Sequence, residues 1–194
     1  MIKLLLSIAV LVLMGCSHNP QPLGKPLPKL SYAHLNPMAV HGGTVRIQQS
    51  FRPTQVQQET LNQFALTPAE VLKSYANKRF LRSRDTGHAE KLVFDVQDAS
   101  VTKVSDEENL IGLLSGKGED IFIVDVLIHM TPVRNDGHRA APFKVAHKQK
   151  LSLPQNISVA EREFRQFEAI EKMMNSIDKK IIEMVQYEMT PEYF

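Results

Sequence analysis

The chain has 194 residues, of which 23% are charged and 43% apolar, with 23 basic side chains against 21 acidic ones. That composition is ordinary for a globular protein and excludes global disorder. The near-neutral balance argues against a nucleic-acid binder, which carries a basic face, and a single cysteine excludes an internal disulfide framework.

The N-terminus is the most specific stretch. Lys3 is a short positive region, and Leu4 to Met14 is an apolar run broken only by Ser7. At about 1.5 Å per residue the run is too short for roughly 30 Å of hydrocarbon, so it reads as an export signal. Leu13-Met14-Gly15-Cys16 then resembles the lipobox of bacterial lipoproteins. The resemblance implies cleavage between Gly15 and Cys16, and lipidation of Cys16 with fatty acyl chains, palmitate among them. It also implies anchoring in a membrane through that lipid. Ser17 follows where, by the same resemblance, an Asp would favour the inner membrane. The expected location is therefore the outer membrane, facing the periplasm, with the inner membrane as the alternative.

Residues 16–43 read as a proline-rich tether. Pro20, Pro22, Pro26, Pro28 and Pro37 deny it regular hydrogen bonding and favour an extended path. At about 3.1 Å per residue, Ser17 to Gly43 could span roughly 80 Å. Leu27, Leu30, Tyr32, Leu35, Met38 and Val40 are too many apolar groups for a pure tether. The second half is expected to lie against the folded domain, with a docking peptide as the alternative.

Residues 44–194 read as one α+β domain. Val45, Ile47, Gln49 and Phe51 alternate on a strand that Arg52-Pro53 ends. Thr67-Pro68-Ala69-Glu70 is a capping box, opening a helix with Val71, Leu72, Tyr75, Ala76 and Phe80 on its apolar stripe and an expected end near Arg82. In the strand Lys91–Val104, Leu92, Phe94 and Val96 hold one parity and Ala99 and Val101 the other, which requires a bulge near Asp98. Ser105 to Asp120 reads as a loop. Ile121–Thr131 is the most apolar strand, and Asn135-Asp136-Gly137-His138 a hairpin signal. Phe143–Leu153 is an edge strand with Lys144, Lys148 and Lys150 on one parity. Ser158-Val159-Ala160-Glu161 opens a last helix, along which Phe167, Ile170, Met174, Ile177, Ile181 and Met184 repeat in alternating steps of three and four. Met173, Ile182 and Val185 widen the stripe beyond a coiled-coil seam, so this helix belongs in the core.

The expected fold is a four-stranded, mainly antiparallel sheet in the order β-α-β-β-β-α, with two helices on one face. A two-residue type I′ turn at Asp136-Gly137 would set Asn135 opposite His138, and paired residues on the two strands would sum to 273. Met130 then meets Phe143 and Val126 meets His147 on an apolar face under the helices. The other face sets Asp125 against Lys148 and His129 against Lys144, with Ile123, Leu127 and Ala146 among them. That mixed face is the candidate partner surface, covered either by the Leu27–Val40 segment or by a partner.

The lipobox, tether and element order resemble the lipopolysaccharide-assembly lipoproteins and the auxiliary lipoproteins of envelope ABC transporters. Residues 66–80, 98–101 and 158–181 (LTPAEVLKSYANKRF, DASV and SVAEREFRQFEAIEKMMNSIDKKI) more locally resemble uncharacterised bacterial envelope lipoproteins. What these likenesses imply is a structural or adaptor component of an envelope assembly or transport system, with an envelope protein as partner. The alternative is a periplasmic lipid- or glycan-binding module using a groove between sheet and helices. No nucleophile elbow, zincin helix, phosphate loop or dinucleotide fingerprint is present, so no enzyme and no cofactor are expected. The seven histidines, His18, His34, His41, His88, His129, His138 and His147, show no helical ligand spacing. His129 and His147 fall on neighbouring strands and could approach, but no metal is expected. Glu161, Glu163, Glu168 and Glu171 alternate with Arg162, Arg165 and Lys172 as a solvated face.

Lipidation of Cys16 has a direct test. Cys16→Ser should shift the protein from the membrane pellet to the soluble periplasmic fraction. Retention in membranes after a high-salt wash would place the anchor elsewhere.

Overall fold

Capping chemistry sets where the first two helices begin. Thr54 caps α1 (Gln55–Leu61), accepting from Gln57 N while the Gln57 side chain accepts from Thr54 N. Thr67 does the same with Glu70 for α2 (Pro68–Arg79), with Pro68 at the first helical position. The computed structural model describes residue 28 and residues 30–32, 34–40, 44–82, 89–104, 118–134 and 136–187. The signal segment, the lipobox with Gly15 and Cys16, Ser17, Gly42-Gly43, Asp85-Thr86-Gly87, most of the 105–120 loop and Pro191 lie outside them.

Four strands form the main sheet: β2 (Thr44–Gln49), β4 (Ala89–Val104), β5 (Glu119–Arg134) and β6 (Phe143–Pro154), in the order β2-β4-β5-β6. β2 runs parallel to β4, and the other two pairings are antiparallel. The parallel step follows from the helical crossover between β2 and β4, which returns the chain in the same direction. The fold is thus α+β with a mixed, mostly antiparallel sheet. Among the described residues it carries three helices where the sequence showed two, since α1 is polar and short. The third is α3 (Val159–Tyr187).

α2 ends three residues before Arg82, where its end was expected. Phe80 is extended (φ −105°, ψ 119°), and Phe80–Arg82 is a short strand, β3, paired in parallel with β1 (Met38–Val40). Phe80 goes into the core instead of continuing the helix. β1 lies in the stretch read as tether, so the described residues between 28 and 40 belong to the packed domain. Tyr32 and Val40 are buried there, as the apolar content of the segment anticipates.

The β4 bulge falls between Val96 and Asp98, and it switches the buried set from Leu92, Phe94 and Val96 to Ala99 and Val101. The β5–β6 register sums to 273 throughout, from Met130 opposite Phe143 to Glu119 opposite Pro154. The turn that produces it is a different one. Gly137 N donates to Arg134 O, Arg134 N donates to His138 O, and Gly137 takes φ 81°. Arg134 therefore stands opposite His138 with three residues between them, the form that needs a left-handed glycine; Asn135 itself lies outside the described residues. Val133 bridges Arg139, one residue out of the later register. The step is recovered before Phe143, across Ala141-Pro142, where proline has no N–H for the ladder.

The helices lie on the Phe122–Met130 face. Phe122, Val124, Val126, Ile128 and Met130 are buried with Ile170, Met173, Met174, Ile177, Ile181 and Met184 of α3. Each such side chain contributes about 1.5–3 kcal/mol on burial. Ser158 Oγ accepts from Glu161 N at the start of α3, but the Glu161 carboxylate turns to Arg165 Nε (2.8 Å) and leaves the box half made. Two buried carboxylates pin the helix. Asp120 of β5 accepts from Arg162 (3.0 Å), Lys103 (2.8 Å) and Gln155 (3.1 Å). Asp178 of α3 accepts from Tyr75 Oη (2.5 Å) and Arg79 Nε (2.8 Å) of α2.

Two substitutions test this core. Asp178→Ala leaves the buried Arg79 charge unpaired and should cost about 3–5 kcal/mol. Ile177→Asp buries an unpaired carboxylate at a fully covered position and should destabilise by several kcal/mol. A cooperative melt near the wild-type temperature in either variant would refute the keystone role of α3.

Candidate partner surface

With the helices on one side, the strands present their other parity outward. From β4 to β6 the rows read Thr102–Ile123–Lys150, Ser100–Asp125–Lys148, Asp98–Leu127–Ala146 and Asp95–His129–Lys144. Gln48 of β2 extends the last row beyond Asp95. Ile123 and Leu127 are half-buried and Ala146 is exposed, so the structure brings the expected contact residues onto one face. Val104, 42% exposed, and half-buried Ile121 continue the apolar strip toward one end.

The predicted cover from within the chain is elsewhere. The described part of this segment packs against α2: the Tyr32 ring meets Tyr75 edge-on at 5.5 Å, and its hydroxyl donates to Val71 O. Lys78 Nζ donates to Ser31 O (3.2 Å). Apolar contact with α2 holds this segment on the helical layer and not on the Ile123–Leu127 face.

Asp125 and Lys148 form an ion pair at 3.3 Å, with side chains 34% and 70% exposed. Such exposure limits it to about 0–1 kcal/mol. Asp95 differs. Only 6% exposed, it accepts from Gln48 Nε2 (2.8 Å), Ser50 N (3.0 Å), Ser50 Oγ (2.8 Å) and Gln97 Nε2 (2.6 Å). Burial works to raise its pKa, but the bonds from Gln48, Ser50 and Gln97 outweigh it and hold the carboxyl below its ordinary value. Sequence reading missed this cluster. Gln97 is the bulged residue, and the bulge is what brings its amide to Asp95.

His129 stands opposite Asp95, and its Nε2 is buried without a hydrogen-bond partner among the described residues. His147 sits on the core parity opposite Val126, so the two histidines occupy opposite faces and do not converge. Among the described residues no group of three or more His, Cys, Asp or Glu could hold a metal ion. No described helix is long and apolar enough to cross a membrane.

Two cavities lie along the 28–40 segment. One of about 570 Å³ is lined by Pro28, Leu30, Tyr32, Leu66 and Val71, with Glu70 and Ser74 as polar groups. Another of about 400 Å³ lies between Met38 and the Ile182–Val185 end of α3.

The Asp95 cluster makes acid sensitivity a test. A depressed folded pKa contributes stability that is present above the unfolded value, about 3.9, and lost as pH falls through the folded value. Asp95→Asn should cost about 1–3 kcal/mol at neutral pH. The gap between wild type and variant should narrow below about pH 4 in thermal melts. A gap constant down to pH 2 would mean the carboxylate contributes no proton linkage.

No protein-family model matches the chain, and no curated protein matches it. Among solved structures, a minor lipoprotein from Acinetobacter baumannii aligns over 73% of this chain and 92% of its own length, at 12% identity and a TM-score of 0.34. Similarity of that depth transfers neither a role nor a site.

Proposed function

We propose that this chain is a lipid-anchored, non-catalytic envelope lipoprotein. In this reading Cys16 carries the lipid, the domain faces the periplasm from the outer membrane, and the protein serves as a structural or adaptor component of an envelope assembly or transport system. The observation that carries the adaptor role is the one-sided helical cover of the sheet. Ile123, Leu127 and Ala146 share the opposite face, and the chain's own proline-rich segment is committed to α2. A flat, partly apolar face of this kind suits protein contact better than small-molecule capture.

A second reading, lipid or glycan binding, would draw on the 570 Å³ cavity beside Tyr32, whose size falls within the range of ligand sites.

Leu127→Glu separates contact from core. The full chain, tagged after Phe194 and recovered from detergent-solubilised membranes, should keep a cooperative melt while losing its co-purifying partner to background. Unchanged recovery would move the contact off this face, and loss of the fold would make the face core.

A further inference from the structure

We propose that the partner of the open sheet face is a different protein, one that presents an apolar patch inside an acidic rim. This rests on the reading of the face given above and adds the chemistry of what it meets.

The half-buried strip of Ile121, Ile123 and Leu127, with exposed Ala146 beside it, lies between two cationic borders. Lys144, Lys148 and Lys150 stand exposed along β6 on the parity of Ala146, and Arg46 stands exposed on β2 at the far side. The acids of the face balance them only in part: Glu119, exposed at one end of β5 on the parity of Ile121, offsets one charge, and the other three are engaged. Asp95 is buried and saturated by four hydrogen bonds. Asp98 accepts from Ser100 N (3.0 Å), and Asp125 is taken by Lys148. Among the described residues, no carboxylate pairs with Lys144, Lys150 or Arg46. Charge complementarity across an interface steers encounter and sets register, so a cationic border compensated only in part selects an acidic counterpart.

Lysines on an edge strand also guard against stray pairing. Guarding accounts for the charges but not for the partly exposed apolar strip beside them, whereas an apolar centre within a polar rim is how protein interfaces are built. A second copy of this chain fits poorly. A two-fold contact through this face would set lysine border near lysine border, and isologous surfaces have to be self-complementary. An anionic bilayer would draw the lysines, at about 1 kcal/mol each near the surface. The strip, however, offers no aromatic side chain, and apart from Val104 at one end its large apolar groups are half-buried between strands, so little protrudes to enter the headgroup layer.

The test is photo-crosslinking in the cells that make the protein. The full chain is tagged after Phe194, and p-benzoylphenylalanine replaces Ala146 or, as a control on the outer helix face, Lys179. The expected result is an adduct from position 146 alone, to a protein whose crosslinked peptide lies among Asp and Glu residues. The joint change Lys144→Glu, Lys148→Glu and Lys150→Glu should lower its yield about tenfold, with the wild-type melt retained. Arg46→Glu probes the opposite border should the triple variant unfold, and it should lower the yield in the same direction. An adduct to phospholipid, or to a second copy, would overturn the proposal. If Leu127→Glu abolishes the adduct while charge reversal leaves it unchanged, the face is the contact surface but the acidic partner is wrong. If neither change matters, or position 146 gives no adduct in a folded protein, both readings fall.

Discussion

The buried Asp178 carboxylate is the constraint on which the helical layer depends. One oxygen accepts from both Tyr75 Oη and Arg79 Nε, joining the middle helix to the long one where neither end of the contact reaches water freely. A buried charge pair of this kind is tolerated because each partner answers the other, and removing either strands the rest. Burial, and then the carboxylate itself, raises the Tyr75 pKa far above its ordinary value, so the phenol remains a donor across the physiological range. The same ring meets Tyr32 and Phe80 edge-on. One clasp thereby holds two helices, the turn into β3 and the incoming proline-rich segment.

At the other end of the long helix, Asp120 gathers Arg162, Lys103 and Gln155. Burial alone would raise its pKa, yet these partners bring it below the ordinary carboxylate value. The helix is fixed at two points about four turns apart, and between them its apolar stripe lies on the sheet. A helix layer held so firmly on one side defines the other side by exclusion. The open face is a consequence of where the cations and the tyrosine sit on α2 and α3.

Much of this was legible in the residues. The period-two alternation of Phe122 to Met130 against Val145 to Leu151 determines register, because a slip of one residue would set apolar groups against lysines. The parity change from Val96 to Ala99 can be reconciled only by an extra residue. The turn was not legible: Asp136-Gly137 suits both two- and three-residue loops, and the difference is hidden by the step across Ala141-Pro142. Phe80-Leu81-Arg82 continues a helical pattern, and only pairing with Met38–Val40 makes it a strand. α1 buries just Thr60 and Leu61, so it carries no stripe, and the Thr54–Gln57 box was its single signal. Asp178, one residue from Ile177 on the buried stripe, could have been flagged as a charge needing a partner. Which cation would answer it depends on how the helices cross. Ile123, Leu127 and Ala146 could be assigned to one face from alternation alone, whereas the saturation of Asp95 depends on a bulge geometry that no pattern specifies.

The docking of Tyr32 and its neighbours onto α2 changes the mechanics of attachment. Read as a free spacer, the proline-rich stretch would give the domain a leash of roughly 80 Å. With Pro28 already against the domain, only about a dozen residues separate it from Cys16, and the greatest standoff falls to about 37 Å at 3.1 Å per residue. If Cys16 is the anchor, the protein patrols a shallow layer above the lipid and cannot sweep the full depth of the compartment. Whatever meets its open face has to come to that height.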